Sequence, residues 1–348
     1  MKTIKLGILG SGFLQDFHMQ AYKELGNVEV VAVGSQTKEH AEKFAQKWGI
    51  KTVFSGDDAI DKICSMKGLD AVSIGIPNDL HAKAAKLAAE NGKHVICEKP
   101  LGRTAAEARE MLKAVEKAGV IHCYAENQVF FPLYQYAYEA VKSGVLGDPY
   151  CVRSREAHGG PHAPHFWDIS RSGGGVALDM GCHCVEVARK VFGNDTPAEV
   201  VEWGDLVVHK DKTKGEDNCL IVVRYKHGQI GQAENSWSTR AGLDLRMEIH
   251  GKEGALFVDP TRETGIKIFS ARGAGYTVEK GEGDKGWLFP CPNEYMVYGY
   301  YDELKHFTRC IADGKMPIET FKDGVVVNAI LDAGYKSAEE KRWIPVEV

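Results

Sequence analysis

Along the first third of the chain, short apolar runs alternate with stretches whose apolar residues recur every three or four positions. Residues 3–9, TIKLGIL, suit a buried strand, and the FLQDFHMQAYKEL that follows has helical spacing. The alternation continues through VEVVAVG (28–34), HAEKFAQKWG (40–49), KTVF (51–54), LDAVSIGI (69–76), HAKAAKLAAENG (81–92), KHVICE (93–98) and TAAEAREMLKAVEKAG (104–119). Glycine closes several of the helical stretches, as helix stops do. Strands separated by helices of this length imply right-handed crossovers and a parallel sheet covered on both faces, a doubly wound domain.

The pattern then changes. After VIHCYAENQ (120–128) and a helical FPLYQYAYEAVKSG come segments of strand character: PYCVRSREAH, AEVVEWGDLVVH, DNCLIVVRYKHG, QIGQAENSWS, LRMEIHG and GIKIFSA. Several turn on glycine, as antiparallel strands do. Two late helices, NEYMVYGYYDELKHFTRCIADG and FKDGVVVNAILDAGYKSAEEKR, complete an α/β second half. The expected division is a nucleotide-binding domain over 1–125 and a substrate and oligomerisation domain over 126–348. There is no internal repeat, and GEGDKGW (281–287) is the one segment that reads as a mobile loop.

Composition removes several function classes. A chain of 348 residues that is 44% hydrophobic is long enough for two cores. A net charge of −5, with lysines and arginines interspersed among acids, provides no field for nucleic acid. Nine scattered cysteines without a CxxC pair suit a reducing cytoplasm. No run approaches membrane-spanning length, and the start, MKTIKLGILG, lacks a signal core.

Candidate chemistry lies at three places. GSGFLQ (10–15), between the first strand and first helix, has the first two glycines of a dinucleotide fingerprint, with Gln15 where the third glycine or alanine would stand. Gly10 suits the tight turn, Gly12 lets backbone approach a pyrophosphate, and the helix start offers free N–H groups. The second strand ends in Ser35, where an acid commonly holds the ribose of NAD; this favours NADP slightly over NAD. CEKP (97–100) sets Lys99 beyond the carboxyl end of the fifth strand, where such sheets bind ligands, and Pro100 makes the preceding peptide a candidate for the cis form. SGGGVALDMGCHC (172–184) carries Asp179 and His183 four residues apart, on one face if the segment is a helix. The glycines at 173–175 would let the chain pass close to a cofactor or substrate. An acid, a base and a cation are what alcohol oxidation by hydride transfer requires.

These motifs, with His18 in the first helix, EKP at 98–100 and GGGVALDMGCHCVEVARKVFG at 173–193, resemble the Gfo/Idh/MocA oxidoreductases, the family of glucose-fructose oxidoreductase and inositol dehydrogenases. The resemblance covers essentially the whole chain. It implies an N-terminal Rossmann domain and a C-terminal α/β domain whose open, mostly antiparallel sheet makes a homo-oligomer, dimer or tetramer. It further implies that Lys99, Asp179 and His183 carry the chemistry. Cofactor contacts are then expected from Gly10, Gly12, Phe13, Leu14, Ser35, Gln36, Thr37, Lys38, Pro77, Asn78, His81, Glu98 and Lys99.

Between the strand VRSREAH and the three glycines lies GGPHAPHFWDISRS (159–172), a loop suited to a sugar-binding rim. Trp167 offers an apolar face to a pyranose, and His165, Asp168, Arg171 and Asn127 are further candidates for substrate hydroxyls. Histidines 158, 162 and 165 near a cysteine pair suggest a metal alternatively, but their spacing matches no ligand pattern and no metal is expected. The expected function is oxidation of a secondary hydroxyl of a sugar, glycoside or cyclitol, with C3 of a glycoside's glucose as a sub-hypothesis. A glycosidase that recycles bound NAD and a non-catalytic ligand sensor are the rival classes; the presence of Lys99, Asp179 and His183 together counts against the sensor.

Overall fold

The computed structural model describes residues 2–240 and 242–348. Two compact units make up the chain: one extends to Asn127 and takes in Gly299–Val326, the other comprises Gln128–Tyr298 and Val327–Val348.

The first unit alternates strand and helix in the expected order: β1 Ile4–Leu9, α1 Phe13–Glu24, β2 Val28–Ser35, α2 Lys38–Trp48, β3 Thr52–Ser55, α3 Ala59–Ser65, β4 Ala71–Ile74, α4 His81–Glu90, β5 His94–Glu98, α5 Ala105–Ala118 and β6 His122–Ala125. The seven-residue α3 is too short to show helical period, and the sequence pattern missed it. All pairings are parallel and the strand order is β3-β2-β1-β4-β5-β6. The order reverses between β1 and β4, which opens a crevice at their carboxyl ends. Local chemistry agrees with the helix bounds: Thr104 accepts the Glu107 N–H at 3.2 Å to start α5, and Gly119 ends it at φ 64°.

The second unit begins with α6 Pro132–Lys142, β7 Pro149–Ala157 and a short α7 Ile169–Ser172. A single π-helical turn, Ala177–Gly181, leads into α8 Cys182–Val191. The strands β8 Pro197–Asp205, β9 Asn218–Tyr225, β10 Ile230–Ser236, β11 Asp244–Gly251 and β12 Ala255–Val258 follow, then β13 Ile268–Ser270, β14 Gly286–Leu288 and α9 Glu294–Val297. α10 Tyr300–Asp313, α11 Phe321–Glu340 and β15 Ile344–Pro345 close the chain. Seven strands form one sheet, β12-β11-β7-β10-β9-β8-β15, antiparallel except for the β7/β10 pair. α8 packs on β7 and β10, while Tyr150, Trp203, Ile230 and Phe257 stay exposed. The loop 281–287 is partly ordered as strand, with Trp287 opposite Phe269.

Two differences from the sequence expectation have local causes. The helix expected from residue 293 onward breaks at Gly299, whose φ of 75° lies outside helical space, so α9 and α10 are separate. The stretch 299–326, grouped on sequence with the second half, packs with the first: the rings of Phe17 and Tyr300 lie 5.2 Å apart, and Phe321 N–H donates to His122 Nδ1 at 3.1 Å.

Glu202 on β8 is buried, and only the absence of a side chain at Gly334 leaves it room: a Cβ there would fall 2.3 Å from Glu202 Oε2. Burial, then the charge of Glu216, pushes its pKa from 4.5 up to about 8. The folded state therefore holds this proton more tightly than the unfolded one, so the group costs stability progressively as pH rises from 4.5 through 8. Glu202→Gln is expected to raise the melting temperature relative to wild type at pH 9 and to lose that advantage near pH 5. A difference that does not vary with pH in thermal melts would contradict the assignment.

Candidate active site

In the first unit the residues expected to hold a dinucleotide gather at the carboxyl ends of β1, β2, β4 and β5. Gly10 has φ 107°, and a Cβ on it would lie 2.1 Å from the carbonyl oxygen of Gly75, so the turns after β1 and β4 touch and only glycine fits. Gly12 has open space where a Cβ would stand, and no side chain caps α1 at Gly12, the helix end that attracts anions. Gln15 fills the place of the third fingerprint glycine without blocking the turn. It is fully buried, donates from Nε2 to Leu9 O at 3.3 Å, and lies over Gly75, where a Cβ would be 2.3 Å from that nitrogen. Gly75 thus supplies the space that a small residue at position 15 would have supplied.

Around this turn, Phe13 and Leu14 open α1, Phe13 being largely exposed. Ser11 Oγ donates to Ser35 Oγ at 2.9 Å, tying the glycine turn to the end of β2. Gln36, Thr37 and Lys38 are exposed beyond it, with Lys38 Nζ 3.7 Å from Glu42. Pro77 and Asn78 follow β4. His81 is placed as a brace: buried, it sets Nε2 2.8 Å from Ile76 O and Nδ1 3.1 Å from Pro100 O, linking the exits of β4 and β5. Burial lowers its pKa, against the pull of those carbonyls, and a neutral ring donates to only one of the two at a time, as its tautomer sets.

Lys99 is half-buried and its peptide to Pro100 is cis. The Glu98 carboxylate points inward, with Oε1 3.0 Å from His18 Nε2. With Glu303 these two bring one nitrogen and two carboxyl oxygens within 4.8 Å of one another. Burial, and then the charges of Glu98, Glu126 and Glu319, hold the Glu303 pKa well above the carboxylate range. A neutral Glu303 lets the two buried carboxyls coexist beside His18.

In the second unit the glycine-rich stretch leads into the helix that bears the expected acid and base. The helix is not regular: its first turn is the π segment Ala177–Gly181, and α8 begins only at Cys182. The glycines have a packing cause of their own. A Cβ on Gly174 would stand 2.0 Å from Tyr335 OH, and one on Gly175 would stand 2.1 Å from Glu216 O.

Both expected catalytic groups of this unit are buried against partners that sequence reading did not name. Asp179 Oδ2 accepts the indole N–H of Trp237 at 3.0 Å. His183 Nε2 lies 4.0 Å from Glu156 Oε2, and Glu156 Oε2 accepts Gln128 Nε2 at 2.6 Å. Glu156 was visible in principle. Alternation along VRSRE places Val152, Ser154 and Glu156 on one face of β7, and an acid on the face that carries the apolar residue is a functional signal. Asn127 opens a 3₁₀ turn, Asn127–Phe130, and is nearly buried.

The expected sugar rim is more tightly bound to the fold than its composition suggests. The Trp167 ring lies 5.3 Å from Trp237 and 5.0 Å from His209, with Lys212 Nζ 5.1 Å above it, so only part of its surface is left for a sugar. His209 Nε2 is 2.9 Å from Trp237 O. Asp168 caps α7, accepting from Ser170 N–H at 3.0 Å and from Ser170 Oγ at 2.7 Å, hydrogen bonds that lower its pKa. His165 stacks on Phe166, Arg171 lies in α7, and His158 Nδ1 accepts the Gly160 N–H at 2.9 Å.

Known proteins agree with this organisation. The family model described as "Oxidoreductase family, NAD-binding Rossmann fold" matches residues 4–126, and "Oxidoreductase family, C-terminal alpha/beta domain" matches 138–348. The myo-inositol 2-dehydrogenase of Thermotoga maritima is 28% identical over 348 residues, covering 99% of each chain. A levoglucosan dehydrogenase solved with NADH and levoglucosan is 25% identical at a TM-score of 0.83, covering 100% of both chains. GenD2 from gentamicin A biosynthesis, solved with NAD, shares the fold at a TM-score of 0.93 and 24% identity, covering 100% of this chain and 97% of its own. Among the described residues no helix is long and apolar enough to cross a membrane. With both of its domain models matched in order, the chain belongs to the Gfo/Idh/MocA family of oxidoreductases, enzymes that act on CH–OH donors.

Proposed function

We propose that the protein oxidises a secondary hydroxyl of a sugar, glycoside or cyclitol. The observation that carries this reading is the buried acid and base four residues apart at one helix start, Asp179 held by the Trp237 indole and His183 with its Nε2 4.0 Å from Glu156 Oε2. The names of the inositol and levoglucosan dehydrogenases among its relatives point to the same substrate class.

The cradle fits a dinucleotide: an open Gly12 ahead of α1, a helix start without a side-chain cap, and a glycine at position 10 where a Cβ would collide with Gly75. Nicotinamide, when bound, supplies the hydride acceptor. His183 takes the hydroxyl proton, and its imidazole is suited to that near neutral pH. The Lys99 ammonium holds the substrate oxygen and stabilises the negative charge that develops as the proton leaves. Asp179 orients the imidazole or a neighbouring substrate hydroxyl, its own position fixed by Trp237. His81 and Glu98 act by holding the strand ends that carry Lys99.

Within this reading, Ser35 and the cation of Lys38 favour NADP slightly, since no carboxylate at position 35 repels a 2′-phosphate. The substrate sub-class is a glycoside oxidised at C3 of its glucose, with the part-exposed Trp167 against the pyranose face. The exposed sheet face bearing Trp203, Ile230 and Phe257 is the expected homo-oligomer contact, and nine free thiols suit a cytoplasmic setting.

Three outcomes are expected. Absorbance at 340 nm with NAD or NADP, over a panel of glucosides, free sugars and inositols, should rise steadily with at least one glucoside and yield a C3 ketone; activity on free inositol alone would reject the glycoside sub-class. His183→Ala should lower turnover on the best substrate by about a hundredfold or more, and near-wild-type turnover would remove His183 from the mechanism. Ser35→Asp should cut kcat/KM for NADP by about tenfold or more while sparing NAD. Equal losses for both cofactors would argue that position 35 does not read the 2′ group.

A further inference from the structure

One half-buried acid close to the candidate helix has no part in the mechanism just described. Glu216 precedes β9, and it meets the glycine-rich stretch through both its main chain and its side chain. Its carbonyl oxygen accepts the Val176 N–H at 2.9 Å, and its Oε1 accepts the Ala177 N–H at 2.9 Å. Tyr335 OH, from α11, donates to the same Oε1 at 2.9 Å. Gly174 and Gly175 lack side chains where a Cβ would collide with Tyr335 OH and with Glu216 O. Two N–H groups at the start of the π turn have no acceptor within a helix that begins there, and Glu216 supplies one to each.

What stands on that turn gives the contact its meaning. Asp179 is two residues beyond Ala177, and His183 is six beyond it. The neighbouring residue reaches Asp179 by a second route: Asp217 O accepts the Trp237 N–H at 2.8 Å, and the Trp237 indole donates to Asp179. The Asp217 side chain is itself fixed by the N–H groups of Val207, Val208 and His209 at 2.8, 2.7 and 2.6 Å. The dipeptide Glu216–Asp217 therefore holds both the backbone that carries Asp179 and the indole that binds its carboxylate.

We propose that Glu216 is a positioning residue for oxidation: as the acceptor at the start of the π turn, steadied by Tyr335, it sets where Asp179 and His183 stand. The inference rests on the oxidoreductase reading for its catalytic consequence, but its geometric part does not. A π turn gains one residue over an α turn, so a loosened start can relax into regular helix and rotate every group beyond it. Misplacing a reacting group by about an ångström costs up to roughly a hundredfold in rate.

The test uses the full-length protein labelled with nitrogen isotope at its six tryptophans. The Trp237 indole N–H, assigned with Trp237→Phe, should show slow hydrogen exchange in wild type because Asp179 holds it. Glu216→Ala should speed that exchange by about tenfold or more and lower kcat by about tenfold or more on the panel's best substrate, with KM for the dinucleotide unchanged. Glu216→Gln keeps an oxygen for Ala177 and Tyr335 but turns its amide NH2 toward the Gly175 and Glu216 N–H groups that also donate to the carboxylate, so it should recover only part of both losses. Wild-type exchange in Glu216→Ala would overturn the proposal. If Glu216→Ala does not fold, Tyr335→Phe, which removes only the hydroxyl donor, should still accelerate indole exchange, and no acceleration would overturn the proposal. A His183→Ala enzyme with full turnover would instead sink the catalytic reading and leave the exchange result standing.

Discussion

A buried carboxylate has to be met by donors, and in the second unit that requirement converges on the hydrogen bond from Trp237 to Asp179. Trp237 is fully buried, and each of its polar groups has an assignment. Its main-chain N–H goes to Asp217, its carbonyl faces His209, and its indole goes to Asp179. Trp167 packs edge to face on the same ring. The loop 158–172, the 207–217 segment and the π turn are thus fixed with reference to one side chain. A change at any of these segments is transmitted to the acid.

The first unit solves a different problem, that of bringing two strand ends and a helix start within reach of one anion. Small residues do this wherever backbone meets backbone, and the contact of Gly10 with Gly75 is one such place. Gln15 shows that the requirement belongs to the contact and not to a sequence position. Space taken by a long side chain on the helix is returned by a glycine on the facing strand end, and the amide finds Leu9 O as its partner. A fingerprint judged by one column alone would have counted this as a fault.

The elements of the first unit were legible in the sequence because each carries a strong local period and many end at a glycine, such as Gly49 and Gly119, in left-handed conformation. Lys99, Asp179 and His183 stand out as candidates in the sequence because their motifs are local. What escaped is what depends on pairing across long separations. Glu156 and Trp237 act through partners 27 and 58 residues distant, His183 and Asp179, and neither pairing leaves a spacing signal. The π turn escaped because it differs from an α turn by a single residue, less than apolar periodicity resolves over a segment that is buried on all sides. Asp168 stands beside Trp167 as a substrate candidate in the sequence, yet Asp-x-Ser at a helix start is equally a capping pattern, and the structure shows it capping α7.

The return of the chain in Gly299–Val326 accounts for the remaining part of the first unit that local pattern could not give. α10 places the Tyr300 ring 5.8 Å from His18 and sets Glu303 beside Glu98, the residue that precedes Lys99. The end of β5 is therefore supported by a residue about two hundred positions later in the chain. Two ionised carboxylates could not share that buried space with a single imidazole, because the desolvation of each exceeds what the ring returns. Burial and neighbouring acids raise the Glu303 pKa well above the carboxylate range, so Glu303 sits there as a neutral acid beside the Glu98–His18 contact. The orientation of the strand end beneath Lys99 then rests on the close contact of Glu98 with His18 and on one neutral acid.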